Sequence, residues 1–347
     1  MTFPWQTDDW NRLQQLRPQW PHALLLHGQA GIGKLRFAQH LAQGLLCEAQ
    51  LPNGEPCNSC PACTWFRQGN HLDYRIVVPE ALAAEAGLTA NADDEKADKS
   101  DGDDGKKTRT PSKEIKIEQV RGLLDFCGVG SHRGGARVVV LYPAEALNVA
   151  AANALLKTLE EPPSGVVFLL VSARIDRLLP TIISRCRQWP MGTPAPEPAV
   201  AWLRAQGVDD ADALLAEAGG APLAALAFAS DESRTLRDWT LKQLAAGGGC
   251  DPFACGEALQ KLPVPLVLGW LQRWLYDLLA QRTAGAPRYF PAASKSLARC
   301  AAELDVGAFT RFMKAVTRQR AVENHPLNAR LVFEDLFLGY RDLFARA

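Results

Sequence analysis

Two groups of residues in this 347-residue chain have types and spacings that could do chemistry. The first is Gly28-Gln-Ala-Gly31-Ile-Gly33-Lys34-Leu35, one residue away from the phosphate-binding pattern G-x-x-x-x-G-K-[ST]. Glycines let backbone N–H groups turn inward around phosphate oxygens. A lysine adds positive charge, and a helix N-terminus adds its dipole. Gly28, Gly31, Gly33 and Lys34 are therefore the candidate nucleotide-binding residues. Position 35, however, is leucine. The motif uses Ser or Thr there because the hydroxyl ligates Mg²⁺. Such a loop could hold ATP or ADP, but metal-assisted hydrolysis is undermined.

The second group is Cys47, Cys57, Cys60 and Cys63, spaced C-x9-C-x2-C-x2-C. Two-residue turns bring neighbouring thiolates to one metal, and a fourth from the preceding segment completes a tetrahedron. Four thiolates with no open position describe structural zinc. An iron–sulfur cluster is the alternative, but its usual C-x3-C-P continuation is missing at Thr64-Trp65. Four unliganded thiols within so short a stretch are the weaker remaining reading. The other five cysteines, at 127, 186, 250, 255 and 300, are scattered and read as core or surface thiols.

The surrounding elements must position these groups. Residues 23–27 (ALLLH) read as a buried strand feeding the glycine-rich loop. A helix follows over 34–47, with Phe37, Leu41 and Leu45 on one face. RIVV (75–78), RVVVLY (137–142) and VVFLLV (166–171) are further apolar strands. Val120, Leu123 and Leu124 have helical spacing, and Ala144 to Glu161 is a helix stopped by Pro162-Pro163. Strands that are apolar throughout and alternate with helices predict a parallel sheet covered on both faces, an α/β P-loop domain.

A catalytic P-loop protein needs an acid at the end of a later buried strand. RVVVLY ends instead in Tyr142-Pro143-Ala144. Glu145 lies further on and is expected inside the following helix. The site therefore lacks two groups that hydrolysis requires.

Between Asn91 and Lys113 there are seven acidic and six basic residues and no large apolar side chain, so 79–114 reads as a disordered insertion. Pro190 to Pro198 is a proline-rich joint, and beyond Ala199 only helical patterns occur. The expected organisation is a P-loop domain over 1–190, a small helical lid over 191–230 and a helical collar over 231–347. Val267, Leu271, Trp274 and Leu278 form a stripe read as core.

Lys plus Arg and Asp plus Glu both total 38, giving zero formal charge. Any contact with DNA should then be local or shared with partners. The N-terminus lacks an export pattern, and the longest apolar run, Pro265 to Ala280, is interrupted by Gln272, Arg273 and Asp277. A cytoplasmic chain without a membrane partner is expected.

Four stretches together resemble the clamp-loader subunits of bacterial DNA polymerase III, in the AAA+ superfamily. They are the near-P-loop, the four-cysteine insertion, the run from Asn153 to Pro163 (NALLKTLEEPP), and Ser184-Arg185-Cys186. The resemblance covers residues 20–190, and His325-Pro-Leu-Asn328 before a final amphipathic helix is similar to the family's collar. It implies a hetero-pentameric ring with motor (gamma/tau) and delta subunits, which loads a sliding clamp on primer-template DNA during replication. It also implies that Arg185 is an arginine finger, acting in trans on a neighbour's ATP. The motor subunit keeps a complete P-loop, an Asp-Glu strand end and a phosphate-sensing arginine. The stretch Gly219 to Ala225, where that arginine would lie, has none. The resemblance thus implies a subunit without hydrolysis of its own. Polymerase (nucleotidyltransferase) activity would belong to the holoenzyme. The rivals are an active motor ATPase, disfavoured by Leu35 and Tyr142, and a zinc-dependent DNA-binding module. Against the latter, Cys47 to Trp65 contains no Lys or Arg. In the NALLKTLEEPP helix, Ala154, Leu155 and Leu159 are expected to pack on the sheet, with Lys157, Glu160 and Glu161 in solvent.

Overall fold

The computed structural model describes residues 2–83, 111–132, 134–230, 232–321 and 328–344. The chain divides into two units, Met1–Thr193 and Pro194–Ala347. Most of the insertion expected at 79–114 lies outside the described residues, as do His325, Pro326 and Leu327. The two described ends of the insertion meet: the Ser112 amide donates to the Glu80 carboxylate at 2.9 Å.

The first unit holds five strands: β1 (Ala23–His27), β2 (Tyr74–Val77), β3 (Arg137–Leu141), β4 (Val166–Ser172) and β5 (Arg187–Pro190). All pair in parallel, in the order β2-β3-β4-β1-β5. Its helices are α1 (Thr7–Gln14), α2 (Lys34–Leu46), α3 (Pro61–Arg67), α4 (Ile117–Gly128), α5 (Val149–Glu160) and α6 (Pro180–Ile183). Alternation along each strand sends side chains to opposite faces. Leu25, Val139, Leu141, Phe168 and Leu170 form one core with Val120, Leu123, Leu155 and Leu159 from α4 and α5. Leu24, Leu26, Val138, Val140, Leu169 and Val171 are equally buried, and α2 packs against β3 and β4. The expected doubly covered parallel sheet is present.

Helices α1, α3 and α6 were not expected from the sequence, and two further elements near the site also differ from the sequence reading. The helix expected from Ala144 begins at Val149, because Asn148 caps it by accepting the Ala151 amide at 2.8 Å. Residues 144–146 instead form a 3₁₀ turn. The edge strand β5 was not expected. Its sequence, RQWP, has one buried residue, Trp189, which donates from Nε1 to the Asp9 carboxylate at 3.0 Å.

The second unit contains α7 (Pro196–Ala205), α8 (Ala211–Glu217), α9 (Pro222–Ala229), α10 (Arg234–Ala245), α11 (Pro252–Leu259), α12 (Val264–Ala284), α13 (Ser294–Glu303), α14 (Val306–Ala321) and α15 (Ala329–Arg341). Its described residues include no strand. The stripe Val267, Leu271, Trp274 and Leu278 is buried core. Trp274 Nε1 donates to Tyr340 Oη at 2.9 Å, and Tyr340 Oη donates to the Leu244 carbonyl at 2.5 Å. This relay ties α12, α15 and α10 together inside apolar packing. Among the described residues, no single helix is long and apolar enough to cross a membrane.

One buried carboxyl group organises the loop after α12. Asp277 is fully buried and accepts the amides of Arg288, Tyr289 and Phe290 at 2.6–3.1 Å. Truncation would leave three amides without their acceptor. Asp277→Ala is expected to cost about 3 kcal/mol, measurable as a lower midpoint in urea unfolding.

Candidate nucleotide cradle and metal centre

The phosphate loop is built at the carboxyl end of β1, between β4 and β5. The Gly28 amide donates to the Ser172 carbonyl at 3.3 Å, and the Met191 amide donates to His27 at 2.8 Å. Gly28 has φ +152°, and a Cβ there would lie 2.2 Å from the Met191 carbonyl oxygen. Gly31 has φ +80°, and Gly33, with φ +89°, starts α2. Glycine is thus required by backbone conformation as well as by space. The three glycines and Lys34 converge on one loop, as the motif predicts.

Lys34 is almost fully buried. Its Nζ turns back into the loop and donates to the carbonyls of Gly28 at 2.8 Å and Gln29 at 2.6 Å. Burial pushes its pKa down to about 8, with the Glu145 carboxylate pulling in the opposite direction.

The N-terminal segment covers the far side of the loop. Trp5 Nε1 donates to the Ile32 carbonyl at 3.0 Å, and Gln6 Nε2 donates to Ile32 and Gly33, each at 3.1 Å. The rings of Phe3 and Trp5 stack at 4.8 Å, and a Cβ on Gly33 would come within 2.5 Å of Phe3. Sequence reasoning missed this strap. Phe3-Pro4-Trp5-Gln6 is too short to carry a period, and its two aromatics next to a proline are its only signal.

The two positions that the motif gives to magnesium chemistry hold leucine and tyrosine. Leu35 has no oxygen in its side chain, and β3 ends at Leu141, followed by Tyr142. Glu145 is nearer than expected. Its Oε1 accepts the Ala173 amide just beyond β4 at 2.9 Å, and its Oε2 is buried without a hydrogen-bond partner. The sequence reading put it inside a helix; the 3₁₀ turn brings its field to Lys34 instead.

The four cysteines form a second, separate constellation. Cys47 caps the C-terminus of α2, Cys60 caps the N-terminus of α3, and Cys63 lies in the first turn of α3. Asn58, in the left-handed region at φ 59°, turns the chain between Cys57 and Cys60. All four sulfurs lie within 4.8 Å of one another, with Cys47 and Cys60 at 3.9 Å. A tetrahedral ion bound by sulfur at about 2.3 Å would set those sulfurs roughly 3.8 Å apart, so the donor set fits. Amides of Cys57, Cys60 and Cys63 donate to the sulfurs of Cys47, Cys57 and Cys60 at 3.3–3.4 Å. Hydrogen bonds at Ser59 draw the Cys57 thiol down to about 6, whereas burial pushes Cys63 up to about 12. The other five cysteines are all buried.

Arg185 follows α6 and precedes β5. Its side chain is about one-third exposed, at 31%. Nη1 donates to the Thr181 carbonyl at 2.8 Å and to Ser184 Oγ at 3.3 Å, and Nη2 pairs with Glu160. None of these partners belongs to the phosphate loop. The adjacent Cys186 is buried, and burial raises its thiol to about 12.

The fold and loop define a P-loop-type α/β protein, with a glycine-rich loop between β1 and α2 that ends in Lys34 and Leu35. A family model described as "DNA polymerase III, delta subunit" matches residues 6–194. The chain is 38% identical over 285 residues to the DNA polymerase III subunit delta' of Pseudomonas aeruginosa, covering 80% of this chain and 77% of that one. It is 32% identical over 291 residues to the subunit delta' of Escherichia coli, covering 82% and 78%. A shorter match reaches the Escherichia coli subunit tau, 34% identical over 168 residues, covering 48% of this chain and 21% of that one. The chain therefore belongs to the DNA polymerase III delta-subunit family.

Lys34 makes folding depend on pH in a stated direction. The folded chain releases its proton at about pH 8, whereas the unfolded chain keeps it up to the ordinary value of 10.5. Between these values the unfolded state binds more protons, so the Lys34 contribution makes stability rise with pH. Lys34→Met should remove that rise, read as the wild-type minus variant difference in urea midpoints from pH 8 to 10.5.

Proposed function

We propose that the chain is the non-hydrolysing, delta-prime-type subunit of the DNA polymerase III clamp loader. One observation supports this reading: Gly28, Gly31 and Gly33 take the left-handed backbone of a glycine-rich loop that leads into Lys34 and α2, while Leu35 and Tyr142 stand where magnesium chemistry needs a Ser or Thr hydroxyl and a carboxylate. A nucleotide entering this cradle would be held by backbone N–H groups and Lys34 and would not be turned over. The names of the delta' relatives support the same role.

In this role the chain completes a pentameric AAA+ ring with motor (gamma/tau) and delta subunits. The collar over 231–347 forms its oligomerising part, and the small helical lid over 191–230 stands as a separate domain. Arg185 is the residue acting at a neighbour's ATP, where it would stabilise charge developing on the transferred phosphoryl group. Its partly exposed guanidinium, with no partner in its own phosphate loop, supports an action in trans. The sliding clamp and primer-template DNA are reached through the assembly, in the cytoplasm. Polymerisation belongs to the holoenzyme. Cys47, Cys57, Cys60 and Cys63 hold structural zinc, which joins two helix ends and takes no part in a reaction.

The test is ATP turnover of the ring reassembled from purified subunits with clamp and primed DNA. The isolated chain is expected to be inert, and Arg185→Ala should lower the assembled rate at least tenfold, since such arginines are worth roughly a thousandfold or more. Turnover by the isolated chain would return the motor reading. Metal analysis should find zinc in the purified chain and its loss in Cys60→Ser; iron with visible absorption would replace zinc by a cluster.

A further inference from the structure

Glu160 is the last residue of α5 and is exposed, as expected. Its carboxylate also pairs with Nη2 of Arg185, a residue 25 positions further along the chain. The side chains are 49% and 31% exposed. Nη1 is held by the Thr181 carbonyl and Ser184 Oγ, and Ser184 Oγ itself donates to Thr181 at 3.0 Å. Nε is buried and has no hydrogen-bond partner. Both terminal nitrogens of the guanidinium are therefore engaged on the chain's own surface.

A guanidinium stabilises a phosphoryl group by presenting charge and N–H donors to its oxygens. A paired carboxylate occupies one of those donors and offsets the charge. The two anions compete for the same group. A partly exposed pair is also weak enough to exchange. Thr181 and Ser184 would keep the arginine stem in place while Glu160 leaves, because they bind Nη1 and not Nη2.

We propose that Glu160 is a restraint on Arg185, so that a neighbour's phosphate must displace its carboxylate before the arginine acts. This rests on the reading of Arg185 as the trans-acting arginine. Glu160 is a positioning residue that acts only through Arg185. The strength of exposed pairs limits the restraint to about a two- to fivefold effect on the competent population.

The experiment compares steady-state ATP hydrolysis by the reassembled ring carrying wild-type chain, Glu160→Gln, Glu160→Asp, Arg185→Ala, or Glu160→Gln with Arg185→Ala. Glu160→Gln keeps the shape and removes the charge. It should raise kcat about two- to fivefold with the KM for ATP unchanged, Glu160→Asp should return kcat toward wild type, and the double variant should match Arg185→Ala. A lower or unchanged kcat in Glu160→Gln overturns the restraint, as does an increase that persists in the double variant. If Arg185→Ala itself leaves turnover unaltered, the trans-acting role fails first and takes the restraint with it. A purely structural Glu160 would shift the thermal midpoint and leave kcat alone.

Discussion

The Met191 carbonyl oxygen occupies the space where a side chain at position 28 would begin. This close approach lets β5 run beside β1, and it fixes the start of the phosphate loop between two neighbouring strands. The rest of the loop follows from it. Gly28 leaves β1 bonded to the end of β4, Gly33 turns the chain into α2, and the Phe3–Gln6 strap closes over the carbonyls of Ile32 and Gly33. The anion-binding shape is thus inseparable from the packing of three strands, one helix and the N-terminus.

That coupling gives the loop its shape independently of which side chain stands at position 35. Lys34 does not stand as a bare charge awaiting phosphate; it bonds two carbonyls of its own loop and senses Glu145. The glycines answer backbone and steric demands that exist without any ligand. Position 35 lies in the first turn of α2, and Tyr142 directly follows β3, so both positions border this backbone. Fold and chemistry separate along that line, with the phosphate-facing backbone on one side and the magnesium-facing side chains on the other.

The sheet was legible because β1, β3 and β4 are short buried apolar runs and the edge strand β2 ends in the apolar pair Ile76-Val77, and the cysteine module because its spacing is itself the geometry. The other edge strand, β5, was not legible, since three of its four residues are exposed and only Trp189 is held. The start of α5 was misplaced because Ala144 to Leu147 has strong helix formers, yet the cap at Asn148 decides the matter. The strap and the Glu160–Arg185 pair depend on contacts between distant parts of the chain, which no local pattern encodes. The P-loop glycines were found by motif, but the reason for Gly28, a neighbouring strand's carbonyl, is visible only in three dimensions.

The helix α2 is capped by Gly33 at its start and by Cys47 at its end, so it connects the two groups directly. Thirteen residues make a strut of about 20 Å. Mechanically it behaves as a lever pinned by glycine at one end and by sulfur at the other. A tilt of about 10° at the cysteine end would displace the loop end by roughly 3 Å, as much as a hydrogen-bond length. A metal held by the four cysteines would thus act through α2 on the far end of the same helix that carries Lys34.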